Sequence, residues 1–139
     1  MARTTFSGPV ASQNGFISGH EVGTVNAINA TATATAAQVA SGYITSTSAS
    51  ATTITLPTGT LLGAALGAVR GTTLDLYIDN TAGASTVTIA VATNGILSTA
   101  AADTAGSFGD LTIAAGATGV GRFTIMFSSA TAYVFTRTA

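Results

Sequence analysis

The chain has 139 residues and a mass of 13.5 kDa, and only nine of its side chains are charged, four Arg against five Asp and Glu. This length suits one domain of ordinary size. The net charge of −1 argues against electrostatic binding of nucleic acid, which needs a basic surface. The absence of cysteine excludes disulfides, thiolate metal sites and cysteine nucleophiles.

The composition also says something about assembly. Charged residues make up 6% of the chain, against about 25% in an ordinary soluble domain. Leu, Ile, Val and Phe together number 32, whereas Ala, Thr and Gly supply 71 residues. The surface carries little charge, and the core has few large apolar side chains to stabilise it. Both features favour the burial of part of the surface in contacts between subunits. We therefore expect an oligomer.

Residues 1–21 are predicted to form an extended N-terminal arm. This segment is polar and rich in glycine and serine, and it has neither a helical nor a strand period. It nevertheless carries Phe6, Phe16 and Ile17, which have no apolar partners within it, and Arg3 near its start. These four residues are the candidate contacts of the arm with a neighbouring protein. The alternative interpretation of this segment is a frayed chain end.

No targeting segment is predicted. The start has no apolar run of 7–15 residues behind Arg3, as a secretory signal peptide would have. The longest apolar stretch, residues 61–69, is too short and too rich in glycine to span a bilayer. We expect a protein that is made in the cytoplasm and does not interact with membranes.

The rest of the chain, residues 22–139, is predicted to be one β domain. Alternating or β-branched stretches predict strands at 21–28, 43–47, 52–56, 72–79, 87–91, 111–113, 122–127 and 133–136. Two hairpins are expected, one joining 72–79 to 87–91 and the other joining 122–127 to 133–136. Only residues 61–69 approach helical spacing, and they predict a short helical or looped crossover. The fold class is therefore all-β, an antiparallel sandwich or barrel.

The alternation also predicts the core. The inward positions are Leu74, Leu76, Ile78, Val87, Ile89, Val91, Phe123, Ile125, Phe127 and Phe135. On the opposite side of the strand at 72–79 lie Asp75, Tyr77 and Asp79.

Candidates for catalysis are few. The single histidine, His20, is next to Glu21, but neighbouring residues of a strand point to opposite faces. Asp75 and Asp79 share a strand face and are candidates for a carboxylate pair, although they also serve simply to keep that face polar. A calcium site at Asp103 or Asp110 has no spaced acidic loop to support it. We therefore expect no enzyme, no metal, no cofactor and no small-molecule substrate.

Threonines recur in a Thr-x-Thr pattern at 31/33/35, 45/47, 53/55 and 86/88. Flat threonine arrays occur in ice-binding β-solenoids, but a solenoid needs a fixed repeat, and these spacings share no period. Threonine is also a good strand residue where charge is scarce. Ice binding or surface adhesion is therefore a less favoured alternative.

Three stretches resemble a known family. Residues 3–10 with Asn14-Gly15-Phe16 look like the start of small structural proteins of tailed bacteriophages. Residues 71–81 with 85–89, and the closing stretch with 111–118, 123–125 and 132–135, are similar to phage capsid decoration (cement) proteins. The resemblance covers about half of the chain. It implies a jelly-roll-like sandwich, usually a homotrimer, that sits on the outside of an icosahedral head, with no active site.

The expected function is therefore that of a non-enzymatic virion protein. Its partners would be the major capsid protein and copies of itself, and its location the capsid exterior. The alternative is a phage fibre or receptor-binding module that binds carbohydrate, which exposed aromatics clustered together would favour. The chain has only three tyrosines, Tyr43, Tyr77 and Tyr133, and no tryptophan, so stacking surface for sugars is scarce.

Overall fold

The structure, a computed structural model, describes residues 26–97 and 111–138. Strands account for 41% of it and helices for 13%, which confirms a mostly β protein. The elements are β1 (Ala32–Thr33), α1 (Ala36–Ala40), β2 (Tyr43–Thr45), β3 (Thr52–Thr55), α2 (Gly59–Leu66), β4 (Thr73–Asp79), β5 (Val87–Ala90), β6 (Gly95–Leu97), β7 (Thr112–Ile113), β8 (Val120–Ser129) and β9 (Ala132–Arg137).

The strands form two sheets that share one core, an arrangement compatible with a β-sandwich. The four-stranded sheet has the order β1-β3-β5-β7 and the five-stranded sheet has the order β2-β4-β8-β9-β6. From β1 to β8 each strand lies in the other sheet from the strand before it. The pairs β1-β3, β3-β5, β2-β4 and β6-β9 are parallel, and β5-β7, β4-β8 and β8-β9 are antiparallel. Both sheets are therefore mixed, and the expected antiparallel arrangement is not confirmed.

One predicted hairpin is confirmed and the other is wrong. β8 and β9 pair as expected, with Ile125 opposite Phe135. β4 and β5 do not pair, because β4 lies between β2 and β8 in one sheet and β5 lies between β3 and β7 in the other. Their alternating apolar side chains face the core from opposite sides. A hairpin and a crossing between sheets bury the same side chains, so the alternation did not distinguish them.

Asn80 fixes this crossing. It lies just after β4 and is fully buried. Its backbone N–H donates to the carbonyl of Gly119 at 2.6 Å, and its Nδ2 donates to the carbonyls of Ser85 and Ala114 at 2.9 and 3.0 Å. One buried amide thereby ties the end of β4 to the segments that precede β5 and follow β7. The chain consequently leaves the five-stranded sheet here instead of turning back along it.

The predicted core is confirmed at its central positions. Leu76, Ile78, Val87, Ile89, Phe123, Ile125, Phe127 and Phe135 are buried, and Leu74 and Val91 are partly buried against them. The predicted core did not include further residues that are buried in both sheets and both helices, among them Val39, Ile44, Ile54, Leu56, Leu62, Ile113 and Tyr133. The rings of Phe123 and Phe135 stack with centroids 4.9 Å apart, and those of Phe127 and Tyr133 are tilted at 5.8 Å.

The expected crossover is helical. α2 begins after Thr58, whose hydroxyl accepts a hydrogen bond from Leu61 N, and it ends at Gly67 in the left-handed conformation. The shorter α1 was not anticipated. It begins at Thr35, which forms a reciprocal capping box with Gln38.

Two glycines of α2 allow the helix to approach the turn of the β8–β9 hairpin. A Cβ atom at Gly59 would collide with the carbonyl oxygen of Thr131, and one at Gly63 would collide with that of Ala130. Only a residue without a side chain fits at such a close approach of two backbones. Gly59 and Gly63 are four residues apart, so they lie on the same side of α2, the side that packs on the hairpin turn.

We expect Gly63→Ala to destabilise the protein by about 1–3 kcal/mol, because the added methyl group overpacks the contact with Ala130. In an open helix the same change would stabilise by up to about 1 kcal/mol. Ala64→Gly, at the exposed neighbouring position, should lower the free energy of unfolding by about 1 kcal/mol. This variant measures the difference in helix propensity between alanine and glycine without the contact to the hairpin. Urea unfolding measures both variants. A Gly63→Ala protein more stable than the parent would contradict the close approach.

Tyr133 links β9 to the start of α2. Its ring is fully buried, and its hydroxyl donates to the carbonyl of Pro57 at 2.9 Å. Burial raises the pKa of this phenol to about 12. The ring also fills the space over Gly95, where a Cβ atom would touch the tyrosine hydroxyl. This side chain is therefore a core residue and offers no surface to a ligand.

The raised pKa of Tyr133 predicts a loss of stability at alkaline pH. The unfolded chain releases the phenolic proton near pH 10, whereas the folded protein holds it to about pH 12. Stability is therefore full below pH 10 and falls between pH 10 and 12, by about 3 kcal/mol at about 1.4 kcal/mol per pK unit. Tyr133→Phe should cost about 1–3 kcal/mol at neutral pH and lack this alkaline loss. Urea unfolding at pH 8 and pH 12 tests this, and equal alkaline losses in the two proteins would contradict it.

The predicted arm, residues 1–21, lies outside the described residues, as does its boundary at residue 22. Of the strand expected at 21–28, residues 26–28 are described, and they form a single parallel bridge between Ala27 and Thr45. Ile28 N donates to the carbonyl of Thr45 at 2.9 Å, and Thr45 N donates to that of Asn26 at 3.0 Å. The chain therefore enters the described fold along the β2 edge of the five-stranded sheet.

Candidate functional site

The outer face of the five-stranded sheet carries most of the charge in the described residues. Five of those residues are charged, and three of them, Asp75, Asp79 and Arg122, lie on this face. The strand register sets two tyrosines beside them. Tyr43 of β2 is directly opposite Tyr77 of β4, which is in turn opposite Arg122 of β8. We call Tyr43, Tyr77, Asp75, Asp79 and Arg122 the tyrosine face.

Asp79 is held by its neighbours on this face. The hydroxyl of Tyr43 donates to Oδ2 at 2.5 Å, and the hydroxyl and backbone N–H of Thr81 donate to Oδ1 at 2.6 and 2.9 Å. The hydrogen bonds from the Thr81 hydroxyl and then from Tyr43 lower the pKa of the Asp79 carboxyl. The same contact with Asp79 raises the pKa of the Tyr43 phenol. Asp79 is therefore a fixed carboxylate at neutral pH.

Asp75 is fixed in a similar way. Arg122 Nη2 donates to its Oδ2 at 2.6 Å, and the Thr124 hydroxyl donates to its Oδ1 at 2.8 Å. The ion pair with Arg122 and then the bond from Thr124 lower the pKa of the Asp75 carboxyl. Both members of this ion pair are well exposed, so its contribution to stability is small. The Arg122 guanidinium also lies over the Tyr77 ring, 5.7 Å from its centroid.

Part of the tyrosine face borders an open hollow of about 740 Å³. Tyr43, Tyr77 and Asp75 line it together with Gly42, Thr73, Leu74 and Thr124, whereas Asp79 and Arg122 lie outside this lining. The two tyrosines are exposed, Tyr43 by 45% and Tyr77 by 39%. Hollows of this volume accommodate small ligands.

The arrangement does not suit acid–base catalysis. A glycoside hydrolase needs one carboxyl whose pKa is raised so that it can donate a proton. Both Asp75 and Asp79 have lowered pKa values, and both are ionised acceptors. Their chemistry is that of preorganised hydrogen-bond acceptors, which supports the interpretation that they keep this face polar.

The remaining predicted site residues stay untested by the structure. Arg3, Phe6, Phe16 and Ile17 lie outside the described residues, as do His20, Glu21, Asp103 and Asp110. Within residues 26–97 and 111–138, no three His, Asp or Glu side chains group as metal ligands. No helix in those ranges has the length and hydropathy needed to cross a membrane.

The threonine pattern is partly aligned by the four-stranded sheet. The register sets Thr33 of β1 beside Thr55 of β3, and Thr53 of β3 beside Thr88 of β5. Thr31 joins the second row, since its hydroxyl accepts a hydrogen bond from Thr53 N at 3.1 Å. Sequence spacing gave no common period, yet parallel pairing brings these threonines together. The described array has two short rows, and Thr45 lies in the other sheet.

The sequence reading did not identify Tyr43 and Tyr77 as neighbours. They lie on strands that are paired through a parallel register, with a strand and a helix between them in the chain. The signal that was available was local: each tyrosine alternates with buried aliphatic residues and therefore points outward. Comparison of the chain with protein-family models, with curated proteins and with solved structures finds no match.

We expect Tyr43→Phe to raise the pKa of Asp79, because one of the bonds that stabilise its ionised form is lost. Thr81→Val should raise it further, since the Thr81 hydroxyl is the larger cause. The pKa of Asp75, which neither residue contacts, serves as the internal control. Carboxyl ¹³C chemical shifts followed between pH 2 and pH 7 measure both groups. An unchanged Asp79 pKa in Tyr43→Phe would contradict the hydrogen bond.

Proposed function

We propose that the protein is a non-enzymatic structural protein of a virion, which binds the outside of a bacteriophage capsid and cements neighbouring shell subunits. The distribution of charge carries this proposal. Outside the tyrosine face, Arg70 and Arg137 are the only charged residues in the described ranges. The centres of protein interfaces are depleted in charge, and burying an unpaired charge is costly. A surface of Thr, Ser, Ala and apolar side chains meets that requirement.

The arm is the proposed attachment to the major capsid protein. Residues 1–21 precede Asn26, whose carbonyl accepts a hydrogen bond at the β2 edge. Phe6, Phe16 and Ile17 would fill grooves of the shell, and Arg3 would pair with an acidic residue. Burial of three apolar side chains is smaller than the entropy of ordering some twenty residues, so the arm must also add backbone hydrogen bonds at a neighbour's sheet edge.

Assembly as a homotrimer is part of the same proposal. Each sheet of the described residues ends in two edge strands, β1 and β7 in one and β2 and β6 in the other. A closed ring of copies covers edges that otherwise invite association with other chains. Three arms on one particle would raise the affinity for a capsid without new kinds of contact. The proposal needs the sandwich and the arm; the jelly-roll-like strand order implied by the resemblance is a further proposal.

A fibre or receptor-binding module is the second candidate. It is favoured by one observation, the adjacency of the exposed Tyr43 and Tyr77 on the outer face of the five-stranded sheet. Clustered aromatics are what a receptor-binding surface requires.

Deletion of residues 2–20 tests the capsid proposal. We expect the truncated protein to keep its β circular dichroism spectrum and to sediment as the same oligomer, above the 13.5 kDa of one chain. It should lose most of its binding to purified capsids and most of its protection of them from heat.

Arg3→Ala is the matched milder variant and should weaken capsid binding less than the deletion, because one exposed ion pair contributes little. If the truncated protein binds capsids as tightly as the full chain, the proposed role of the arm is wrong. If neither protein binds a capsid, the proposed function is wrong.

A further inference from the structure

We propose that the hollow beside Tyr43 and Tyr77 binds a neutral carbohydrate, with a pyranose ring lying against the two tyrosines and its hydroxyls donating to Asp75. This inference names a ligand class and a site for the second candidate function, on which it rests, and it does not rest on the capsid proposal.

The first support is the aromatic platform. Tyr43 and Tyr77 are register partners on neighbouring parallel strands, whose backbones lie about 4.8 Å apart. The pairing is secured by Tyr77 N, which donates to the carbonyl of Gly42 at 2.8 Å. Tyrosine has few rotatable bonds, so it supplies contact area at a low cost in conformational entropy. The C–H face of a sugar ring is the apolar surface that matches such a platform.

The second support is the set of fixed acceptors beside the rings. A carboxylate offers about four acceptor positions on its two oxygens. Asp75 uses two, for Arg122 and Thr124, and Asp79 uses three, for Tyr43 and twice for Thr81. About two positions therefore remain on Asp75, which lines the hollow and whose orientation is already set. Preorganised groups bind with little ordering cost.

The chemistry of these free groups selects the ligand. Ionised carboxylates need O–H or N–H donors, and adjacent sugar hydroxyls supply them. A proline-rich peptide also docks on aromatic residues, but its proline units present no donor to Asp75. An acidic sugar would meet the Asp75 carboxylate, which is the charged residue in the lining of the hollow. A neutral sugar satisfies the acceptors without this repulsion.

The size of the hollow agrees with this ligand. Its volume of about 740 Å³ lies within the range of about 300–1,000 Å³ for small-molecule sites. It is open to solvent along the sheet, so a sugar chain can extend beyond the bound unit.

The test uses the full-length protein and four neutral disaccharides as probes: maltose, lactose, mannobiose and chitobiose. We expect at least one of them, at millimolar concentration, to shift the NMR signals of Tyr43, Tyr77 and their neighbours in a saturable way. Tyr77→Ala should weaken binding about tenfold or more, as truncation of a central aromatic anchor does. Asp75→Asn should also weaken binding, because it replaces an ionised acceptor by an amide.

Leu61→Ala is the control, since Leu61 is an exposed apolar side chain on α2, outside the five-stranded sheet. It should leave the affinity unchanged, and all variants should keep the parent's circular dichroism spectrum. Sialyllactose and a proline hexapeptide serve as competing ligand classes. The inference is overturned if none of the four disaccharides binds, if Tyr77→Ala binds as tightly as the parent, or if only the peptide or the acidic sugar binds. These outcomes are independent of the arm deletion, so the two proposals fail separately.

Discussion

The packing of four aromatic rings on the β8–β9 hairpin holds the rest of the structure in place. Phe123 stacks on Phe135 and Phe127 packs on Tyr133, so both strands of the hairpin present large rings to the core. Aromatic pairs of this kind stabilise a fold beyond the area they bury. The Tyr133 hydroxyl extends the contact to Pro57 at the start of α2. The hairpin therefore joins the five-stranded sheet to the longer helix.

The glycines of α2 follow from the same hairpin. The helix lies so close to the turn at residues 130–131 that Gly59 and Gly63 can have no side chains. In a chain that is poor in large apolar residues, such close approach increases van der Waals contact without adding volume. The protein thus compensates for few large side chains by bringing backbones together, and it does so with residues that reduce the intrinsic stability of the helix.

The crossing of the chain between the sheets produces its distinctive surfaces. Because successive strands alternate between sheets, parallel neighbours come from segments that are far apart in sequence. This places Tyr43 beside Tyr77 on one face and Thr33 beside Thr55 on the other. It also gathers three of the five described charges around the tyrosines, while most of the remaining surface is uncharged. Among the described residues, the charged side chains outside this face are Arg70 and Arg137.

The local sequence pattern is enough to predict which side chains of each strand point inward. The two-residue period of a strand is local, so Leu76 and Ile78 are buried whichever strand lies beside them. The β8–β9 hairpin was also predictable, because a short turn joins two alternating segments. α1 could have been found from its Thr35–Gln38 capping pattern, which is local too.

Which strands are neighbours depends on the packing of the folded chain. The pattern of β4 and β5 fits a hairpin as well as it fits two opposed sheets. The choice depends on Asn80, whose buried amide donates to the carbonyl of Ser85 just before β5 and to that of Ala114, 34 residues along the chain. The same holds for the tyrosine face, because neither the sequence of β2 nor that of β4 alone indicates that the two strands pair in a parallel register. Side-chain direction is set within a few residues of chain, whereas strand partnership is set by the packing of the whole core.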